Sequence, residues 1–418
     1  WSVVDSWQSK YNQTATSALY LHIPFCSQKC FYCDFSSWST RQEDSRMKNY
    51  VKALKYQLDE AAQLSLLSAT KTVYMGGGTP SLLGQDAVDL AQHTSAIVNP
   101  AEFSIEANPD SLSDDLLASL ATGGVTRISL GVQSFNDNEL KKLGRIHSAD
   151  LAYDRVLAAK EYGYDVSVDL MCAIPEQTES SWEFSLSRFI SLGVNHVSVY
   201  PLTIEDGTAL AKQTQDKDTP WNTYDVQADR MQATSKVLQA VGFERYEVAS
   251  YARNQKSCKH NKMYWTGESY LGLGTSAASM LTAFEYDALA KENTSLPSRP
   301  QDAIRVRLVV LDSPKKIAEG VSLFSTEFDV EFLTHREAVA EDLMLHARLT
   351  EPIAPALLDE SEQVFGALPL KEVFDACVQD ELLECVDAAD SGIKASYRPT
   401  DKGWLLGNEL YVRLWELR

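Results

Sequence analysis

The 418-residue chain is poor in cysteine, in positive charge and in long apolar runs. Its seven cysteines are too few and too scattered for a disulfide framework, which points to a reducing compartment. Lysine and arginine number 38 against 58 aspartates and glutamates, a formal charge of −20. That balance argues against a nucleic-acid backbone or an anionic membrane as the main partner. No apolar run approaches the ~18 residues of a membrane span. Internal repeats and low-complexity tracts are also missing. What is left, 44% hydrophobic and 23% charged residues, is an ordinary globular composition, long enough for one large and one small domain. A cytoplasmic location is expected. An organellar one stays open, because the sequence begins at Trp1 rather than Met.

Three of the seven cysteines fall together, in Tyr20-Leu-His-Ile-Pro-Phe-Cys26-Ser-Gln-Lys-Cys30-Phe-Tyr-Cys33-Asp34. A structural zinc site normally shows four ligands, as two Cys-x2-Cys pairs. The spacing here, Cys-x3-Cys-x2-Cys, supplies three. Three thiolates suit a cubane iron–sulfur cluster in which one iron has no protein ligand. An open iron can chelate a small molecule, so the gap reads as a binding position. Phe25, Phe31, Tyr32 and Phe35 surround the thiols and would keep a cluster partly dry. Cys172, Cys258, Cys377 and Cys385 read as buried or incidental thiols.

From about Ala18 to Ser250 the chain alternates short apolar strands with amphipathic helices. The expected strands are Leu19–Ile23, Thr72–Met75, Phe103–Ile105, Arg127–Val132, Asp165–Leu170 and Val194–Tyr200. Ser113, Asn136 and Ser148 are expected to cap the intervening helices. The alternation predicts an α/β fold with a parallel sheet and right-handed crossovers, either open or a partial barrel. Unusual polar residues gather at the strand ends: Gly76-Gly77-Gly78-Thr79-Pro80, Glu106, Gln133 and Asp169. In a parallel α/β sheet those ends face one common side, where ligand sites are built. The glycines would let the backbone approach a ligand closely. The carboxylates and Gln133 would hydrogen-bond hydroxyl and amino groups, and the guanidinium of Arg145 suits a carboxylate.

After about Thr326 the pattern changes to helices over Glu337–Leu349 and Leu370–Gln379. Strands over Leu382–Val386 and Tyr397–Leu405 follow, around a turn at residues 387–392. This predicts a small helical, winged-helix-like domain. Its acidic surroundings argue against DNA binding. The expected division is a barrel domain over residues 1–283, an irregular insertion or linker over 284–325, and a C-terminal domain over 326–418.

These motifs together resemble one branch of the radical S-adenosylmethionine (SAM) superfamily, the anaerobic coproporphyrinogen III oxidase family, and within it the HemW-like heme-chaperone subgroup. The resemblance runs through Tyr20–Phe35, Gly76–Leu83, Glu106–Pro109, Ile128–Phe135, Leu143–His147, Asp169–Pro175 and Tyr200–Gly207. It continues through Arg245-Tyr246-Glu247, His260-Asn261-Lys262-Met263-Tyr264-Trp265 and Tyr270–Gly274. It implies a partial (β/α)6 barrel with an appended helical, winged-helix-like domain. It also implies that Cys26, Cys30 and Cys33 ligate a [4Fe–4S] cluster. Tyr20, Tyr32, Gly77, Gly78, Thr79, Glu106, Gln133, Arg145 and Asp169 occupy the family's SAM-contacting positions. His260, beside Tyr264 and Trp265, is the candidate heme contact, with Cys258 as another soft ligand. The function implied is a cluster- and SAM-binding protein that binds heme and passes it to acceptor proteins. The alternative is oxidative decarboxylation of coproporphyrinogen III to protoporphyrinogen IX in porphyrin biosynthesis, and a third reading is another radical SAM reaction on an unknown substrate. The sequence departs from the oxidase pattern at Phe35, where the oxidase carries a fourth cysteine. It departs from the heme-chaperone pattern that it resembles at Ala278, where members of that subgroup often have a histidine.

Overall fold

The computed structural model describes residues 10–40, 44–215, 217–386 and 396–418. All six expected strands form: β1 (Ala18–Ile23), β2 (Thr72–Gly77), β3 (Glu102–Ala107), β4 (Arg127–Gln133), β5 (Asp165–Cys172) and β6 (His196–Pro201). Each pairs in parallel with the next. Crossover helices, among them Ser45–Gln63, Gln85–Ile97, Asp114–Thr122, Ala149–Glu161 and Glu179–Leu192, join them. The capping residues act as expected. Ser113 accepts from the Leu116 amide, Asn136 from Asn138 and Glu139, and Ser148 from Leu151, each satisfying amides that the helix start leaves unpaired.

Parallel strands covered on both faces usually read as unbroken apolar runs. These alternate instead. Leu19, Leu21, Val73, Met75, Phe103, Ile105, Ile128, Leu130, Val166, Val168, Val197 and Val199 are buried beneath the helices and form the main core. The residues between them, from Tyr74, Glu106 and Ser129 to Asp169, Ser198 and Tyr200, line a cavity on the other face. The period of two thus makes one face a core and the other a container.

The sheet extends beyond the six strands. On one side β7 (Glu244–Arg245) and β8 (Ser250–Ala252) add antiparallel to β6. On the other, β9 (Tyr270–Leu273) lies parallel to β1, followed by antiparallel β10 (Ala278–Thr282), β11 (Ala303–Val310) and β12 (Phe328–Thr334). The order is β12-β11-β10-β9-β1-β2-β3-β4-β5-β6-β8-β7. Among the described residues the two edge strands, β12 and β7, are not paired with each other, so the barrel is partial.

Two sequence expectations are corrected here. The stretch expected to be an irregular linker, 284–325, contains the helix Ala283–Glu292, all of β11 and a short helix Pro314–Ala318. Arg305 and Arg307 break the apolar pattern of β11. Their charges are met by partners distant in sequence: Arg305 donates to Glu341 and Asp342, both at 2.7 Å, and Arg307 pairs with Glu331 at 2.9 Å. Secondly, the expected strand Tyr397–Leu405 ends at Pro399. Thr400 then caps a helix over Asp401–Leu405 by accepting from the Gly403 amide. The turn expected at residues 387–392 lies outside the described residues.

The C-terminal part consists of helices His335–His346, Pro355–Phe365, Ala367–Gln379 and Gly407–Trp415 around a hairpin, β13 (Leu383–Val386) and β14 (Ser396–Pro399). It has its own core, including Leu343, Leu357, Phe374, Leu382 and Leu410. It is tied to the sheet through the buried Arg305, Glu341 and Asp342, with the Tyr11 hydroxyl also donating to Asp342 at 2.8 Å. Removing one member of such a network costs about 3–5 kcal/mol, because the remaining charge stays buried without a partner.

Candidate functional site

The three clustered thiols sit on a loop that crosses the C-terminal ends of the strands. Phe25–Cys26 pairs in parallel with Trp38–Ser39, and the Thr40 amide donates to the Cys26 carbonyl at 2.7 Å, so the loop is closed at its base. Its crown is tied to the barrel: the Phe31 amide donates to the Leu143 carbonyl at 2.9 Å, and the Leu210 amide to the Phe31 carbonyl at 2.7 Å. All three cysteines are free.

One cavity of about 130 Å³ brings together Cys26, Cys30, Cys33, Tyr32, Gly77, Gly78, Thr79, Glu106, Gln133, Arg145 and Asp169. Eleven of the thirteen residues expected to form the site therefore converge, although they come from six separate parts of the chain. Among the described residues, no group of three or more His, Cys, Asp or Glu converges closely enough for a single metal ion. Three thiols around a multi-iron cluster each meet a different iron, and so stand further apart than the ligands of one ion.

The glycines at the end of β2 are required by space. Gly77 has φ +112°, and a Cβ there would lie 2.5 Å from the His22 ring; one at Gly78 would lie 2.7 Å from the Phe25 carbonyl oxygen. The Gly77 amide donates to Glu106 at 2.9 Å, and the Tyr74 hydroxyl donates to the same carboxylate at 3.0 Å. Gln133 closes β4 at φ +67°, next to a register shift between Gly131 and Gln133. Such an irregularity redirects a side chain at a sheet rim.

Arg145 is the electrostatic centre. Its guanidinium donates to Asn108 at 2.7 Å, to the Gly131 carbonyl and to the Cys30 sulfur at 3.4 Å, while its Nε is buried without a hydrogen-bond partner among the described residues. Asn108 in turn donates to Thr79 at 3.0 Å, and Thr79 donates to the Cys26 sulfur at 3.6 Å. One chain of donors thus reaches two of the three thiols. Burial pushes the Cys26 and Cys33 thiols above their ordinary range, a cost that metal coordination removes, since a coordinated thiol is deprotonated. Burial, followed by repulsion from Glu106, pushes the Asp169 carboxyl up to about 7. The sequence patterns do not single out Asn108 or Ser129, which donates to Asp169 at 3.2 Å. Their signal is their place, two residues past Glu106 and midway along β4.

Tyr20 and His260 stand apart from this cavity. Tyr20 stacks on Tyr74 with ring centroids 6.3 Å apart and faces an adjoining cleft. His260 corrects the expectation of a heme contact. It is 1% exposed, and both ring nitrogens are engaged, Nδ1 with Thr72 and Nε2 with the Tyr264 hydroxyl, each at 2.9 Å. Burial lowers its pKa to about 3, so it is a neutral structural histidine with no free lone pair for iron. Cys258 is buried too, donates to Glu102 at 3.4 Å and has its pKa pushed up to about 12 by burial.

A family model described as the radical SAM superfamily matches residues 20–189. Over 316 residues the chain is 34% identical to the heme chaperone HemW of Lactococcus lactis, covering 73% of this chain and 80% of that protein. The chain belongs to the HemW family of radical SAM proteins. The HemW of Escherichia coli is 35% identical over 273 residues, 63% of this chain and 70% of the relative. Another relative, the mitochondrial radical S-adenosyl methionine domain-containing protein 1 of Danio rerio, is 35% identical over 266 residues, 62% of this chain and 60% of its own. In structure, the coproporphyrinogen III oxidase HemN of Escherichia coli aligns with a TM-score of 0.75 at 22% identity, over 98% of this chain and 93% of that one, a likeness of fold.

Membership of the superfamily implies a [4Fe–4S] cluster and SAM. The residues of this HemW-family chain suit both. Three free thiols share one cavity, glycines leave backbone exposed beside it, and a buried guanidinium with an unpaired Nε faces the same space.

Proposed function

We propose that this protein is a heme chaperone of the radical SAM type, which binds a [4Fe–4S] cluster, SAM and heme and delivers the heme to acceptor proteins. Cys26, Cys30 and Cys33 hold the cluster in this reading, and its open iron chelates the amino and carboxylate groups of SAM. Tyr32, Gly77, Gly78, Thr79, Glu106, Gln133, Arg145 and Asp169 receive the rest of SAM, with Tyr20 at the edge. Glu106 and Asp169 accept from hydroxyl and amino donors, and Arg145 balances the thiolates and the SAM carboxylate.

The observation that carries the chaperone reading is the combination of close HemW relatives with Phe35 in the place of a fourth cysteine. The side chain of Phe35 is 70% exposed at the mouth of the thiol cavity. The free thiols support a reducing compartment, the cytoplasm or an organelle; no helix among the described residues is long and apolar enough to cross a membrane. The test is anaerobic incubation of reconstituted protein with coproporphyrinogen, SAM and a reductant, alongside a parallel incubation with heme. Stoichiometric heme retention without porphyrin turnover is expected. Conversion of coproporphyrinogen would instead establish the oxidase.

A further inference from the structure

Next to the thiol cavity a second space opens between the sheet and the C-terminal part. It has a volume of about 580 Å³, within the range of sites for drug-sized ligands. Its floor is the row in which Tyr270 pairs with Met280, and Met280 with Arg307, across β9, β10 and β11. Its roof is the helix His335–His346, which contributes Met344 and Leu345, and Trp265 forms a wall. Phe35, Gly77 and Glu106 line both this cleft and the thiol cavity, so the two spaces communicate. The long aromatic and thioether lining, between a sheet and a helix, suits a planar apolar macrocycle.

Nearly every iron-binding group on the lining is already engaged. His22 bonds the Tyr20 hydroxyl at 3.2 Å and the Ser36 carbonyl at 2.9 Å. Tyr264 is held by His260. Glu341 is bound to Arg305 at 2.7 Å and to Arg307 at 3.2 Å. Tyr270 stays a neutral phenol, since burial pushes it up to about 12. The thioethers remain. Met280 is 3% exposed in the floor, while Met344 is half-buried on the roof. Thioether sulfur is an established axial donor to heme iron.

We propose that heme docks in this cleft, beside rather than inside the barrel, with the Met344 sulfur as its axial iron ligand. The proposal rests on the heme-chaperone reading and gives the cargo a position beside the SAM site, which it meets through Phe35, Gly77 and Glu106, with Tyr20 at the edge.

The experiment titrates hemin into anaerobically reconstituted wild-type, Met344→Leu, Met280→Leu and Ala278→Trp proteins, with cluster iron and SAM binding as controls of folding. Leucine conserves volume at both methionines, so the fold should tolerate it. Wild type should show the thioether-to-iron charge-transfer band of ferric heme. Met344→Leu should lose that band, Met280→Leu should keep it, and Ala278→Trp, which fills the cleft, should abolish saturable heme binding. All four should keep cluster and SAM. A band that survives Met344→Leu, or heme binding that survives Ala278→Trp, overturns the docking site and leaves the chaperone reading standing. Failure of wild type to bind hemin overturns the chaperone reading itself, and this site with it.

Discussion

On their convex face the six parallel strands carry Leu, Val, Ile and Met packed under the crossover helices. On their concave face the same strands carry Tyr74, Glu106, Ser129, Asp169 and Ser198 around open space. Neighbouring residues therefore do opposite work. Burial of an aliphatic side chain on the convex face contributes about 1.5–3 kcal/mol. On the concave face, burial of carboxylates costs stability, as the raised Asp169 shows, and is tolerated because the other face is so well packed. Substitutions that hit only one face separate the two roles.

The largest effect is expected above the concave face. Cys30→Ser should lose most of the cluster iron and the brown absorbance after anaerobic reconstitution. Cys172→Ser, in which a buried thiol of the core is replaced, should retain both. Equal iron loss in the two variants would mean that the ligand set is wrong.

On the convex face, Leu130→Ala removes a fully buried side chain from the middle of β4. It should destabilise the fold by about 2–5 kcal/mol in urea unfolding, while the protein that remains folded binds SAM normally. A selective loss of SAM binding at unchanged stability would break the division between the faces.

Asp169→Asn tests the reverse case. The Asp169 pKa is raised from 3.8 to about 7, so between those values the folded protein binds a proton that the unfolded chain has released. Its contribution to stability is therefore present at low pH and is lost as pH rises towards 7. The carboxamide of the variant cannot ionise. Without ligand, Asp169→Asn should be more stable than wild type at pH 8, by an amount that vanishes near pH 4, yet bind SAM more weakly. A thermal-unfolding series against pH reads the first, and equilibrium binding reads the second. A pH-independent difference between the two proteins would remove the ionisation argument.

The same alternation explains what is legible in the sequence. The six strands can be read to within a few residues because β-branched and aromatic positions recur with period two, and their polar ends point to one rim. The rim in turn gathers Glu106, Gln133, Arg145 and Asp169 with the thiols. β11 escapes that reading because Arg305 and Arg307 mimic a surface pattern when their carboxylate partners lie 24–37 residues away. His260 misleads for a related reason. A histidine followed by two aromatics looks the same in sequence whether its nitrogens are free or, as here, bonded to Thr72 and Tyr264. Pairings between distant segments leave no local trace.

Asn108 sharpens the comparison at its smallest scale, since it packs no core and ligates nothing. It accepts from Arg145 at 2.7 Å and donates to Thr79 at 3.0 Å, which places it between the two donors that reach the sulfurs of Cys30 and Cys26. Asn108→Ala removes both bonds and leaves a buried guanidinium one acceptor short, a change of about 1–3 kcal/mol. If Asn108 positions Arg145, cluster iron should be retained while SAM affinity falls and the cluster's reduction potential shifts, because hydrogen bonds to the sulfurs set that potential. Asn108→Asp keeps an acceptor for Arg145 but gives up the donation to Thr79, so it should recover SAM affinity more than the potential. An Asn108→Ala protein with lower stability but unchanged potential and SAM affinity would make this residue structural, and would move it from the container to the core.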